Sequence, residues 1–181
     1  MHRVLGRLHL VPALEAEELL APAVVDALRR WPRADQVQVA PIDPDLADTA
    51  AFCAAYGVEA SASANCVVVL GRRGDVVRNA ACVVQATTRA DVNGLVRRHL
   101  DVRKASFAPR EGTVEATGME YGGITPVGLP ADWPVLVDAA VLEAPLVVVG
   151  SGLRRSKLVL PGAALADLPG AQVLAGLGQP V

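Results

Sequence analysis

The sequence predicts a mixed-sheet α/β (α+β) domain, and three observations lead there. Short aliphatic runs such as Cys66–Leu70 and Leu146–Val149 have the length and β-branched content of strands. Stretches with apolar residues at helical spacing lie between them. The order of elements is helices, hairpin, helix, short strand, helix, then strands, which lacks the strict β-α-β alternation of a doubly wound sheet. At 181 residues the chain is most simply one domain, 1–181, with residues 1–51 as a helical N-terminal extension. Hydrophobic residues make up 52% of it but aromatics only 3%, so the core must be built from Val, Leu, Ala and Ile.

Leu20, Ala23, Val24, Ala27 and Leu28 fall on one helical face, with Pro22 in the first turn and Trp31-Pro32 as the stop. Val37–Ala40 reads as a short strand. Asp43 then caps a helix with Pro44 at its first position, running through Leu46, Ala50 and Cys53 to Tyr56 and closed by Gly57. Cys66–Leu70 and Val76–Gln85 flank the turn Gly71-Arg72-Arg73-Gly74 and predict a β-hairpin. Thr88 and Asp91 resemble a capping pair before Val92, Leu95, Val96 and Leu100. Asp101–Phe107 is a linker with a short strand, and Pro109–Thr117 a helix ending at Gly118. Val135–Val137, Leu146–Val149, Lys157–Leu160 and Gln172–Leu174 are strands, with a short helix at Ala163–Leu168.

Composition excludes several classes. No apolar run approaches the length that spans a bilayer, so no membrane association is expected. Arg3 and Arg7 are not followed by a signal-like apolar run, so a cytoplasmic protein is expected. Cys53, Cys66 and Cys82 are odd in number and widely spaced, and His2, His9 and His99 are scattered. Neither a disulfide framework nor a metal site is indicated, and no cofactor is expected. A net charge of −2 argues against wrapping long nucleic acid but leaves room for a contact with a nucleic-acid end.

Gly122-Gly123-Ile124-Thr125-Pro126-Val127-Gly128 is the densest punctuation in the chain. The glycines allow positive φ and close backbone approach, and Pro126 stiffens the loop. Its successive N–H groups could cradle a carbonyl oxygen or phosphate; equally, it could be a tight turn. Gly150-Ser151-Gly152 follows an apolar strand and precedes Arg154, Arg155 and Lys157. It reads either as a ligand-approached turn or as a β-turn with a solvated basic face. Ser151 lacks a nucleophile elbow, and Cys66 opens an apolar strand as an inert cysteine does. Asp138, after a strand, could bind a polar group or cap a turn.

Thr117-Gly118, Gly122–Gly128, Pro134–Asp138, Gly150-Ser151-Gly152 and the Leu158–Leu160 strand, in this order, resemble the YbaK-type aminoacyl-tRNA deacylases. That family is related to the editing domain inserted in bacterial prolyl-tRNA synthetases. The similarity runs from about Phe52 to Leu168. It implies a curved, barrel-like mixed sheet with surrounding helices. It further implies metal-independent hydrolysis of the ester joining a wrong amino acid to the tRNA 3′ adenosine. The partner so implied is a tRNA acceptor end carrying an amino acid, and an aminoacyl-tRNA synthetase remains open as a second. Thr117, Gly122, Gly123, Thr125, Pro126, Gly128, Asp138, Gly150, Ser151, Gly152, Arg154 and Arg155 are the substrate-binding candidates under this resemblance.

One departure stands out. Family members typically carry a lysine and then a small residue on the strand before the hairpin turn. Here Asn65 and Cys66 occupy those places, and a slip of one residue would put Cys66 at the lysine. No catalytic residue is therefore assigned: Asn65 and Cys66 are the candidates. Arg154, Arg155 or Lys157 could restore the charge from another strand, Asn65 could hydrogen-bond the ligand or simply end a turn with Cys66 packed in the strand, this branch could act on another acyl substrate, or deacylation could have been lost. In the last case the chain would be a catalytically degenerate tRNA- or nucleotide-binding module of the same fold.

Overall fold

The computed structural model describes residues 5–181, so His2 and Arg3 lie outside the described residues. Among the described residues there are eleven strands: β1 (Val11–Pro12), β2 (Gln38–Pro41), β3 (Ala64–Arg73), β4 (Val76–Gln85), β5 (Thr88–Ala90), β6 (Lys104–Phe107), β7 (Val135–Asp138), β8 (Val147–Gly150), β9 (Ser156–Leu160), β10 (Ala171–Leu174) and β11 (Gly178–Pro180). The α-helices are α1 (Pro22–Arg30), α2 (Thr49–Tyr56), α3 (Arg97–His99) and α4 (Arg110–Thr117). The strands form a five-stranded mixed sheet in the order β10-β7-β4-β3-β6, a four-stranded sheet β1-β2-β9-β8, and a small β11-β5 pair. No helix among the described residues is long and apolar enough to cross a membrane.

The two larger sheets meet at a single parallel bridge between Ser63 and Val148. The barrel implied by the resemblance is therefore not closed. Beyond the bridge β3 and β8 diverge. β6 covers β3 only from Val69 to Arg72, so the Ala64–Val67 stretch lacks a strand on that side. This open seam positions the candidate site. The main core fills the space between the sheets with Val, Leu and Ala, including Val83, Val137, Val149 and Leu158.

Most elements form where the sequence places them, and the exceptions have physical causes. The helix read from Asp43 to Tyr56 is two pieces. Asp43 Oδ1 does accept from the Asp45 N–H (2.9 Å), but it caps only a 3-10 turn, Pro44–Leu46. α2 starts afresh after Asp48. The break coincides with two carbonyls taken by distant cations. Pro44 O accepts from Arg154 (3.0 Å) and Ala47 O from Lys157 Nζ (3.0 Å), and at Asp48 the backbone turns extended (φ −60°, ψ 136°), which ends the first piece before α2 begins. The hairpin turn is tighter than read, because β3 runs on through Arg73 and only Gly74-Asp75 turns, with Gly74 at φ +59°. Asp91 caps its helix alone, accepting from Gly94 and Leu95 N–H (both 3.0 Å), while Thr88 joins β5. That helix opens as a π-turn, Val92–Val96. The segment Gly162–Asp167 is 3-10 rather than α.

Candidate functional site

Where β3 and β8 part, a cavity of about 310 Å³ opens. Asn65, Cys66 and Val67 of β3 form one wall, and Val149 and Gly150 of β8 the other. The start of α2, at Ala47–Thr49, closes one end. Gly122 and Ile124 of the glycine-rich loop border it, and Phe107 and Tyr121 stand exposed at its rim.

Lys157 lies at this cavity from β9, opposite Gly150 in register. Among the described residues it is the only buried lysine or arginine, at 8% exposure. Its Nζ donates to Ala47 O and sits 5.3 Å from the Phe52 ring centroid, a distance at which the ring face attracts a cation. Burial lowers its pKa, and the nearby Arg154 adds to that, while Cys53 and Asp48 act the other way. One of the ammonium's three donors is committed to Ala47 O.

Asn65 reaches the same turn from the other sheet, accepting at Oδ1 from Thr49 Oγ1 (2.6 Å). Asn65 and Lys157 thus hold residues 49 and 47, whose Cα atoms are separated by at most about 7.6 Å. The neighbouring Cys66 thiol is pushed far up by burial, with Cys82 adding to it, so it stays protonated and is a poor nucleophile.

The glycine-rich loop divides between its two readings. Its first half belongs to the cavity and is laced to the second glycine turn. Glu120 N–H donates to Gly152 O (2.9 Å), and Gly152 N–H to Gly123 O (2.7 Å). A Cβ on Gly123 would lie 2.7 Å from the Leu153 carbonyl, so only glycine lets these backbones approach. The second half packs away from the cavity. Thr125 is fully buried, its hydroxyl accepting from Val127 N–H (3.4 Å), Pro126 is buried, and Gly128 (φ +89°) abuts the Ala23 carbonyl of α1.

The remaining candidates lie outside the cavity wall. Thr117 ends α4, donating to Thr113 O (2.7 Å) and accepting from Met119 N–H (3.2 Å). Asp138 accepts from Gly178 N–H (3.1 Å) and so pins the C-terminal strand. Ser151 is fully buried, with Oγ 2.7 Å from Ser156 Oγ. Gly152 (φ +87°) turns against Ala21. Arg154, half-buried, donates to Tyr121 O (3.3 Å) and Pro44 O, bracing the rim. Arg155 is exposed and donates to Glu18 O (2.6 Å). Of the three cations the sequence offers in place of the lysine, Lys157 alone lines the cavity. Thr49, Phe107, Thr113 and Tyr121 line it with no motif to announce them. Lys157 did carry a signal in the sequence, a lone lysine adjoining the aliphatic run Leu158–Leu160, and in the structure every residue of that strand is buried.

The profile of the aminoacyl-tRNA editing domain matches residues 43–168. The chain belongs to this family. Two solved structures share its fold. A candidate trans-editing enzyme for prolyl-tRNA synthetase is 24% identical at a TM-score of 0.74, with 88% of this chain and 99% of that one covered. A hypothetical protein is 23% identical at 0.75, with 87% and 99% covered. Among curated proteins none matches this sequence. In this editing domain the glycine-rich loop and β3 border one cavity, with Lys157 at its wall.

Proposed function

We propose that this protein is a trans-editing hydrolase that removes a wrong amino acid from a mischarged tRNA. The observation that carries the reading is the cavity at the β3–β8 seam, bordered by both glycine turns and supplied with a buried ammonium from β9. The aminoacyl group enters the cavity, and the terminal adenosine stays at the rim, where Phe107 and Tyr121 offer exposed aromatic faces. Water attacks the ester carbonyl carbon. The carbonyl oxygen takes up negative charge, which Lys157 and the N–H groups of Gly122 and Ile124 stabilise, the Gly123 N–H being donated to Glu120 O. The bond to the ribose oxygen then breaks, that oxygen takes the proton that the water gave up on attack, and free amino acid and tRNA leave. Asn65, held by Thr49, hydrogen-bonds the substrate rather than supplying charge. At about 310 Å³ the cavity has room for an aminoacyl group.

A second reading rests on Asn65 standing where the family typically has lysine: a binding module that holds a tRNA end, alone or with a synthetase, without turnover. A deacylation assay over a panel of mischarged tRNAs decides. Selective turnover of one or a few aminoacyl-tRNAs at catalytic protein concentration supports the hydrolase. Uniform background hydrolysis with every substrate refutes it, and tight tRNA binding without turnover then favours the module.

A further inference from the structure

The charge of this chain is segregated. Residues 72–110 hold nine of the 17 lysines and arginines but only three of the 19 acids. Of those three, Asp91 caps a helix and Asp101 pairs with Arg73 (2.7 Å), leaving Asp75 at the hairpin tip. Arg72, Arg97, Arg103 and Lys104 are exposed, border one open depression beside β6, and have no ion-pair partner among the described residues. Outside the segment acids outnumber bases two to one.

This patch is connected to the cavity. β6 starts at Lys104, paired with Arg72, and ends at Phe107 on the rim, three residues or roughly 10 Å along the strand. Arg110 continues the positive edge, with its guanidinium 4.5 Å from the Tyr121 ring centroid. A polyanion whose end is held in the cavity leaves past Phe107 and meets these cations, while the acidic remainder repels it.

We infer that the surface formed by Arg72, Arg97, Arg103 and Lys104 docks the phosphate backbone of the tRNA acceptor stem, with β6 as the track from stem to cavity. The inference rests on the editing reading above and names the surface that reading lacks. Overall acidity is no obstacle, because the contact is local and the counterion release is local with it.

The test is binding of 5′-labelled uncharged tRNA by fluorescence anisotropy over a range of KCl concentrations. The variant is Arg72→Gln/Arg103→Gln/Lys104→Gln, three side chains with no hydrogen bond or ion pair among the described residues. Each phosphate contact contributes about 5-fold at 0.1 M salt, so the triple variant should bind about 100-fold more weakly, and its salt slope should fall by about 2–3. Arg29→Gln/Arg30→Gln, on the opposite charge region, should bind as the native protein does. Equal affinity of native and triple variant, or an unchanged slope, overturns the docking surface. Turnover of an aminoacyl ester of adenosine, too short to reach the patch, reads the cavity by itself. A native protein that cleaves this ester but binds no tRNA overturns the docking surface and leaves the hydrolase. One that does neither overturns both.

Discussion

Replacing Lys157 by methionine separates the two roles a buried cation can play. The ammonium is 8% exposed and donates to the Ala47 carbonyl, so it either braces the start of α2 or acts on substrate. Methionine keeps most of the volume and removes the charge. If Lys157 stabilises the oxyanion, deacylation should drop about 10²- to 10³-fold, the loss seen when one fixed donor is removed. Stability should move little. The orphaned carbonyl costs ~1–3 kcal/mol, but the penalty of burying a charge vanishes with the lysine. A net change within about 1 kcal/mol corresponds to roughly 2–4 °C in Tm. The pH dependence has a definite sign. Between Lys157's lowered pKa and the ordinary 10.5, the unfolded chain holds a proton that the folded one has released. The native protein therefore gains stability over the methionine variant as pH rises through that window, and has lost all of that gain once pH falls below the lowered pKa. Turnover, which needs the charged form, should decline over the same rise. Paired thermal melts and single-turnover deacylation across pH measure both. Activity within about threefold of native, with a large fall in Tm, would refute the chemical role and leave only the brace.

Two further substitutions probe the glycines. Gly123→Ala puts a methyl 2.7 Å from Leu153 backbone atoms that cannot turn aside, so the two glycine turns must separate. Overpacking plus the weakened Gly152–Gly123 hydrogen bond should cost about 2–4 kcal/mol, read as a fall of roughly 5–15 °C in Tm with loss of turnover; a cost under about 1 kcal/mol would mean the loops are not tightly docked. Gly112→Ala, in α4 with nothing within 4 Å of the added methyl, should instead raise stability by about 0.5 kcal/mol in chemical denaturation and leave turnover unchanged.

The strands were legible because each is a short aliphatic run bounded by turn residues, and β7, β8 and β9 lie within a residue of where Val135–Val137, Leu146–Val149 and Lys157–Leu160 place them. Local chemistry also fixed the caps: Gly57 and Gly118 end their helices at φ +65° and +67°. What escaped is what distant contacts decide. Nothing between Asp43 and Tyr56 announces that Arg154 and Lys157, about 110 residues on, will meet the carbonyls at Pro44 and Ala47, or that Asp48 will turn extended between the two helical pieces. β1 and β11 escaped because two or three residues make no period. The glycine-rich loop showed that it was special but not that its two halves serve different neighbours, the cavity and α1.

The missing lysine of β3 acquires a geometric meaning from the seam. β3 and β9 belong to different sheets, and the cavity exists only because those sheets touch at one bridge and then part. A side chain can therefore enter the same space from either wall. Asn65 enters from β3 and Lys157 from β9, and both end on the first turn leading into α2, at Thr49 and Ala47. A cation arriving from β9 loses little as an electrostatic element, since what matters to a developing oxyanion is the position of the charge and not the strand it hangs from. Ala47 O meets the ammonium, and α2 begins two residues on, at Thr49. The interrupted helix and the buried cation thus meet at one end of the cavity, and a motif read along β3 alone sees neither.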